Sequence, residues 1–240
     1  MRLLSAALVA LIACSAAAET ILSAHFTDPT KRYGHAVLGD AIEYGALEIR
    51  TRADGGETDR PGKTIHVLRL PTDHVFEDIA PRLVDVTGDG TPEVIVVETD
   101  MALGAASAIY TPAGKLAETP HIGQTNRWLA PIAAADLDGD GHIELAYIDR
   151  PHLAKTLRIW RYKNGTLREV ATAPGLTNHK IGWDFIAGGL RLCGPVPELI
   201  TANADWSRII ATRFDGHAIT SSDIGAYDGP QSLETALVCR

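Results

Sequence analysis

The sequence predicts an all-β chain made of a four-stranded unit repeated about every fifty residues, and three observations carry that prediction. Two similar acidic loops, DVTGDGTPEVIVVE from Asp85 and DLDGDGHIELAYID from Asp136, stand 51 residues apart, and a third copy, GLRLCGPVPELITAN, keeps Glu198 where the others have Glu93 and Glu144. Turn glycines recur in the same period, at Gly114, Gly165 and Gly216 in the segments PAGK, KNGT and FDGH. The 22 Gly and 13 Pro, against four Phe and two Met, favour many short elements joined by turns over long helices.

The strands follow in order between these markers, as short segments rich in β-branched and aliphatic residues. A degenerate first unit is placed at residues 35–40, 46–52, 64–70 and 74–80. The second takes 81–86, 93–98, 107–111 and 115–122; the third takes 129–137, 143–149, 156–163 and 166–173; the fourth takes 183–192, 198–204, 208–214 and 217–223. Asn164-Gly165 and Asp215-Gly216 are dipeptides that join antiparallel strands where a turn needs positive φ. Four antiparallel strands repeated at this period form the blade of a β-propeller, and four blades are visible. Residues 21–26 and 233–239 are left over, either to complete a terminal sheet or to enter a fifth blade. Residues 52–63, with Asp54-Gly55-Gly56 and Pro61-Gly62, read as a long loop.

The chain opens with one positive charge at Arg2, an apolar run over residues 3–13, and small residues at Ala16 and Ala18, which is the pattern of an export signal cleaved after Ala18. The run is about half of the roughly 20 apolar residues a membrane-spanning helix needs. Residues 19–240 are then a single propeller domain, periplasmic or secreted. A second reading of the same segment stays open: Leu11-Ile12-Ala13-Cys14 resembles the bacterial lipoprotein box, which would anchor the protein to a membrane through lipid on Cys14.

Loss of residues 1–18 leaves 21 basic and 30 acidic residues, a net charge of −9 that argues against nucleic acid as a partner. It also leaves two cysteines, Cys193 and Cys239, which are expected to pair in an oxidising compartment.

In the loop from Asp136, acids occupy positions 1, 3, 5 and 9 as Asp136, Asp138, Asp140 and Glu144, with Gly141 at the bend; the first loop offers Asp85, Thr87, Asp89 and Glu93 with Gly90. Oxygen ligands at alternate positions of a tight turn converge on a hard cation such as calcium, and the loop with more carboxylates is expected to bind it more tightly. An EF-hand is excluded, because its bidentate Glu at position 12 is replaced by Val96 and Tyr147 within strand-like runs. The pattern resembles the FG-GAP and VCBS repeats of integrin-like propellers, over nearly all of residues 35–225. That resemblance implies two structural calcium ions, with backbone carbonyls of Thr91 and His142 joining the side-chain ligands. Leu190, Leu192 and Gly194 replace the acids in the copy at 190–198, so no metal is expected there.

The resemblance also implies that the calcium loops lie on one face and the connectors into the innermost strand of each blade on the other. Those connectors and nearby loops carry His74, Arg127, Trp128, Arg150, His179, Trp183, Asp184 and Trp206, a candidate rim for a protein or glycan, since aromatics and Arg are common binding anchors. Trp128 and Trp183 serve equally well as packing between sheets. No nucleophile elbow, zinc motif or phosphate loop is present. The leading expectation is therefore a non-catalytic, calcium-stabilised binding module, and its rival is a hydrolase or lyase using His179 as base and Asp184 as its orienting partner.

Overall fold

The computed structural model describes residues 19–53 and 63–239. The expected export segment with Cys14, and residues 54–62 of the expected long loop, lie outside the described residues.

Among the described residues the chain is all-β with one short helix, in three antiparallel sheets. The first contains β1 (Glu19–Thr30), β2 (Glu43–Ala53), β3 (Lys63–Arg69), β4 (His74–Phe76), β5 (Arg82–Val84), β6 (Glu93–Asp100), β7 (Gly104–Thr111) and β8 (Gly114–Glu118). Here β2 lies between β1 and β3, and a single pair, Tyr44 opposite Phe76, joins that group to the rest. The second sheet is the consecutive ladder β9 (Leu129–Ala135), β10 (Glu144–Asp149), β11 (Thr156–Lys163) and β12 (Thr166–Pro174). The third has β13 (Leu176–Thr177) and β14 (Gly189–Arg191) both on β15 (Glu198–Asn203), followed by β16 (Arg208–Phe214) and β17 (Ile219–Ala226). Helix α1 (Pro230–Leu237) ends the chain.

The second, third and fourth units hold the expected strand order, as β5–β8, β9–β12 and β14–β17. Their second strands, EVIVVETD, ELAYID and ELITAN, are buried almost end to end. Both faces of these strands are covered, which is why they read as continuous apolar runs, while the solvent-facing β17 carries Thr, Ser and Asp. Apolar clusters connect successive units. Ile95 and Ile109 meet Leu145 and Tyr162, and Ile148, Leu157 and Ile159 meet Leu199 and Phe214.

Three expectations about the ends are corrected. Residues 35–40 form no strand: Ala36 and Gly39 have φ of 53° and 93°, and Val37 is buried against Val97, Leu129 and Ala130. The first unit instead takes the 12-residue β1 beside β2, so residues 21–26 belong to its sheet. His74–Phe76 pairs mainly with β6, as the first half of an interrupted strand that β5 continues. Residues 233–239 form no strand: 233–237 lie in a helix, because Pro230 starts a turn and Leu233, Ala236 and Leu237, at helical spacing, pack on Ala187, Ile200 and Ile209, and Val238 and Cys239 follow its end. The disulfide Cys193–Cys239 is formed, with S–S 2.05 Å, and holds the chain end to the loop before β15.

The loop between β1 and β2 positions the site. Tyr33 Oη accepts from the Asn126 amide at 2.8 Å, His35 bonds to Glu77, and the Gly182 amide donates to the Val37 carbonyl at 3.3 Å. One loop thus touches the segments leading into three successive units.

Candidate functional site

Strands β9 and β10 separate two chemically distinct regions. The acidic loops precede Glu93 and Glu144 at one end of β6 and β10, whereas Trp128 enters β9 and Arg150 leaves β10 at the other end.

Each loop folds around its first aspartate. Asp136 accepts from the amides of Gly139, Asp140 and Gly141 at 2.7, 3.1 and 3.0 Å, and Asp85 accepts from Gly88, Asp89 and Gly90 in the same way. The bend glycines Gly90 and Gly141 sit at φ of 89° and 86°, a conformation that favours glycine. The position-9 glutamates are buried and reach back: Glu93 accepts from Val86 N at 2.7 Å, Glu144 from Leu137 N at 2.9 Å. Thr91 and His142 donate their amides to Asp89 and Asp140. In the second loop Asp136, Asp138 and Glu144 each present one carboxylate oxygen, all within 4.8 Å of one another. In the first, Thr87 Oγ1 donates to Glu93 at 3.0 Å.

Arg161 is the residue the sequence reading missed. It lies opposite Glu144 in the β10–β11 register, and its guanidinium contacts Glu144 at 2.5 Å, Asp140 at 2.9 Å, and Asp138. Burial pushes the Glu144 carboxyl up despite this arginine. The third copy carries the substitution further: Glu198 lies between Arg191 and Arg213 at 2.6 and 2.7 Å. Burial opposes its charge, but the two guanidiniums hold its carboxyl below the ordinary range. Glu93 has no arginine or lysine partner among the described residues. Guanidinium thus meets the position-9 glutamate in the second and third copies, singly and then as a pair.

At the opposite end, Arg127, Trp128 and Arg150 line one cavity of about 310 Å³ together with His35, His152 and Ile181. His35 Nδ1 lies 2.5 Å from Oε1 of the fully buried Glu77, whose Oε2 accepts from Thr99 Oγ1 at 2.7 Å. Trp128 is 2 % exposed and donates its Nε1 to the Glu77 carbonyl at 2.8 Å, so it packs as well as lines. Burial, then the neighbouring His179 and His35, push the His152 imidazole down to about 4, which leaves it neutral at neutral pH. Arg150 is neutralised by a two-point contact with Asp149 at 2.8 and 3.0 Å.

The other rim candidates do not join this cavity. His179 is buried beneath it, bonded to His152 at 2.9 Å and to the Trp183 carbonyl at 3.0 Å, while Asp184 is exposed and bonds to no imidazole among the described residues. The base and orienting partner suggested by their proximity in sequence therefore do not meet. Trp183 and Trp206 stand edge to face at 5.3 Å and surround the Lys180 ammonium with Tyr227, at 5.5, 4.7 and 5.4 Å. His74 sits elsewhere, against Asp73 and His121. His35 and Glu77 were invisible to local motif reading because they are 42 residues apart.

Residues 85–147, from the first acidic loop to the middle of β10, match the family model for the FG-GAP-like repeat. This segment carries an FG-GAP-like repeat. The matched segment contains both acidic loops and the four strands β6–β9 between them. No curated protein and no solved structure matches the chain.

Proposed function

We propose that this chain is an exported, calcium-stabilised β-propeller of the FG-GAP type, with four blades, acting as a non-catalytic module that binds a protein or glycan through the rim opposite its metal loops. The observation that carries the reading is the convergence of Asp136, Asp138 and Glu144 within a segment matching the FG-GAP-like repeat. The donor set suits calcium: hard carboxylate oxygens at alternate positions around a glycine bend, with amides already holding the first aspartate in place. Asp136, Asp138, Asp140 and Glu144 would hold one ion with the His142 carbonyl, and Asp85, Thr87, Asp89 and Glu93 a second with that of Thr91. The ion would supply charge neutralisation to two loops that gather seven carboxylates.

The propeller reading draws support from consecutive four-stranded units that share apolar clusters, and from the β1–β2 loop that reaches three of them. The binding reading draws support from the cavity at Arg127 and Trp128. Thermal melts with calcium and with excess chelator test the metal, repeated on Asp138→Ala. A melting temperature several degrees higher in calcium, with a smaller increase in the variant, is expected; identical melts with and without metal refute it. N-terminal sequencing of the protein recovered from its own envelope tests export, with Glu19 expected first and lipid on Cys14 the competing outcome.

A further inference from the structure

We propose that the cavity at Arg127 binds a small organic anion, its oxyanion held between the Arg127 guanidinium and the His35 imidazole and its apolar body against Leu153 and Ile181. This rests on the binding reading above and names the chemistry of its ligand. Of the two arginines that line the cavity, Arg150 is paired with an acid and Arg127 is not, among the described residues. Arg150 and Arg158 both bond to Asp149, and Arg158 also bonds to Glu169. The Arg127 side chain, by contrast, bonds only to the Asn126 carbonyl, at 2.9 Å, and has no carboxylate partner among the described residues. A guanidinium facing a cavity without an acid is suited to two-point recognition of carboxylate or phosphate.

His35 is held for the same task. Oε1 of Glu77 accepts from Nδ1, so the proton is on Nδ1, and Nε2 is the nitrogen without a partner among the described residues. Glu77 is itself fixed by Thr99, by the Trp128 indole through its carbonyl, and by its amide on Val97. With Nδ1 fixed on Glu77, Nε2 is the ring nitrogen available to an anion's oxygen, which binds with one proton shared between them. The volume, about 310 Å³, lies at the small end of ligand pockets, roughly 300–1,000 Å³, and excludes large rigid ligands. Exposed Leu153 and Ile181 supply the apolar wall.

Isothermal titration calorimetry of the purified protein with D-glucuronate, glucose 6-phosphate and neutral glucose tests the proposal, alongside side-chain imidazole NMR. Saturable binding of at least one anion, none of glucose, and a shift of the His35 resonance are expected; whichever anion binds tighter identifies carboxylate or phosphate as the preferred head. Arg127→Ala and His35→Gln are each expected to weaken binding about tenfold or more, with Arg127→Lys partly restoring it and far-UV circular dichroism unchanged. Binding of glucose as tight as either anion, failure of both anions at millimolar concentration, or unchanged affinity in Arg127→Ala overturns it. Calcium-independent melting would refute the metal reading and leave this result standing, and glucose binding would do the reverse.

Discussion

Glu43 is the residue whose titration should dominate the pH response of the fold. It is 3 % exposed, and burial first, then the charges of Glu77, Asp40 and Asp78, push its carboxyl from 4.5 up to about 9. Between those values the folded state holds a proton that the unfolded chain releases, so stability falls as pH rises from 4.5 towards 9. His152 acts in the opposite direction: its folded pKa of about 4 lies below 6.5, so stability falls as pH drops from 6.5 towards 4. The two slopes offset each other below pH 6.5, and an alkaline decline remains. Denaturant melts at several pH values should show that decline in the parent protein and a much flatter profile in Glu43→Gln; an equal decline in both removes Glu43 as its cause. Arg161 gives a second test at this scale. Arg161→Gln leaves Asp138, Asp140 and Glu144 without their guanidinium, so the calcium-free protein should lose ~1–2 kcal/mol. Its calcium affinity should rise, since the ion no longer competes with a fixed cation. A titration in which the variant binds calcium more weakly than the parent contradicts that role. Neither residue was legible as a site residue, because local spacing does not reveal which charge lies across a ladder or under a loop.

At the scale of elements, the hairpins were legible and the interrupted strands were not. Asn164 and Gly165, with φ of 52° and 77°, form the two-residue turn expected between β11 and β12, whose ends pair as Lys163 with Thr166. Asp215 instead opens a four-residue loop, accepting from the amides of His217 and Ala218. Residues 183–192 read as one strand, but only Gly189–Arg191 pairs. The reason is local: Gly188 has φ of 78°, and a Cβ there would lie 2.1 Å from the Ile200 carbonyl oxygen. Gly165 has positive φ as well, but open space around it. Gly165→Ala should therefore cost about 1 kcal/mol, the backbone penalty alone. Gly188→Ala must displace the β14–β15 pairing, and should cost several times more. Equal losses in a denaturant melt would show that the close approach to Ile200 relaxes freely.

At the scale of the whole molecule, the disulfide is the one covalent long-range constraint among the described residues, closing 46 residues of sequence around β15, β16, β17 and α1. Its loss in Cys193→Ser with Cys239→Ser should lower stability by about 2–4 kcal/mol through the unfolded ensemble. Proteolysis of that variant should begin near α1, where the chain end is otherwise held by Leu233 and its neighbours. Melting of the double variant at the parent temperature would mean that packing alone secures the end. By itself, the sequence determined the all-β class, the strand order of three units, the two acidic loops, and the cysteine pair. Each of these depends on composition or on a pattern repeated along the chain, readable without knowing which segments meet. Only the tertiary structure decided that residues 35–40 cross three units as a loop, that Arg161 enters an acidic loop, and that His35 meets Glu77 beside an Arg127 that has no carboxylate partner among the described residues. These are contacts between segments tens of residues apart, as far as the 93 that separate Tyr33 from Asn126, and their partners are chosen by burial and charge compensation in the folded chain.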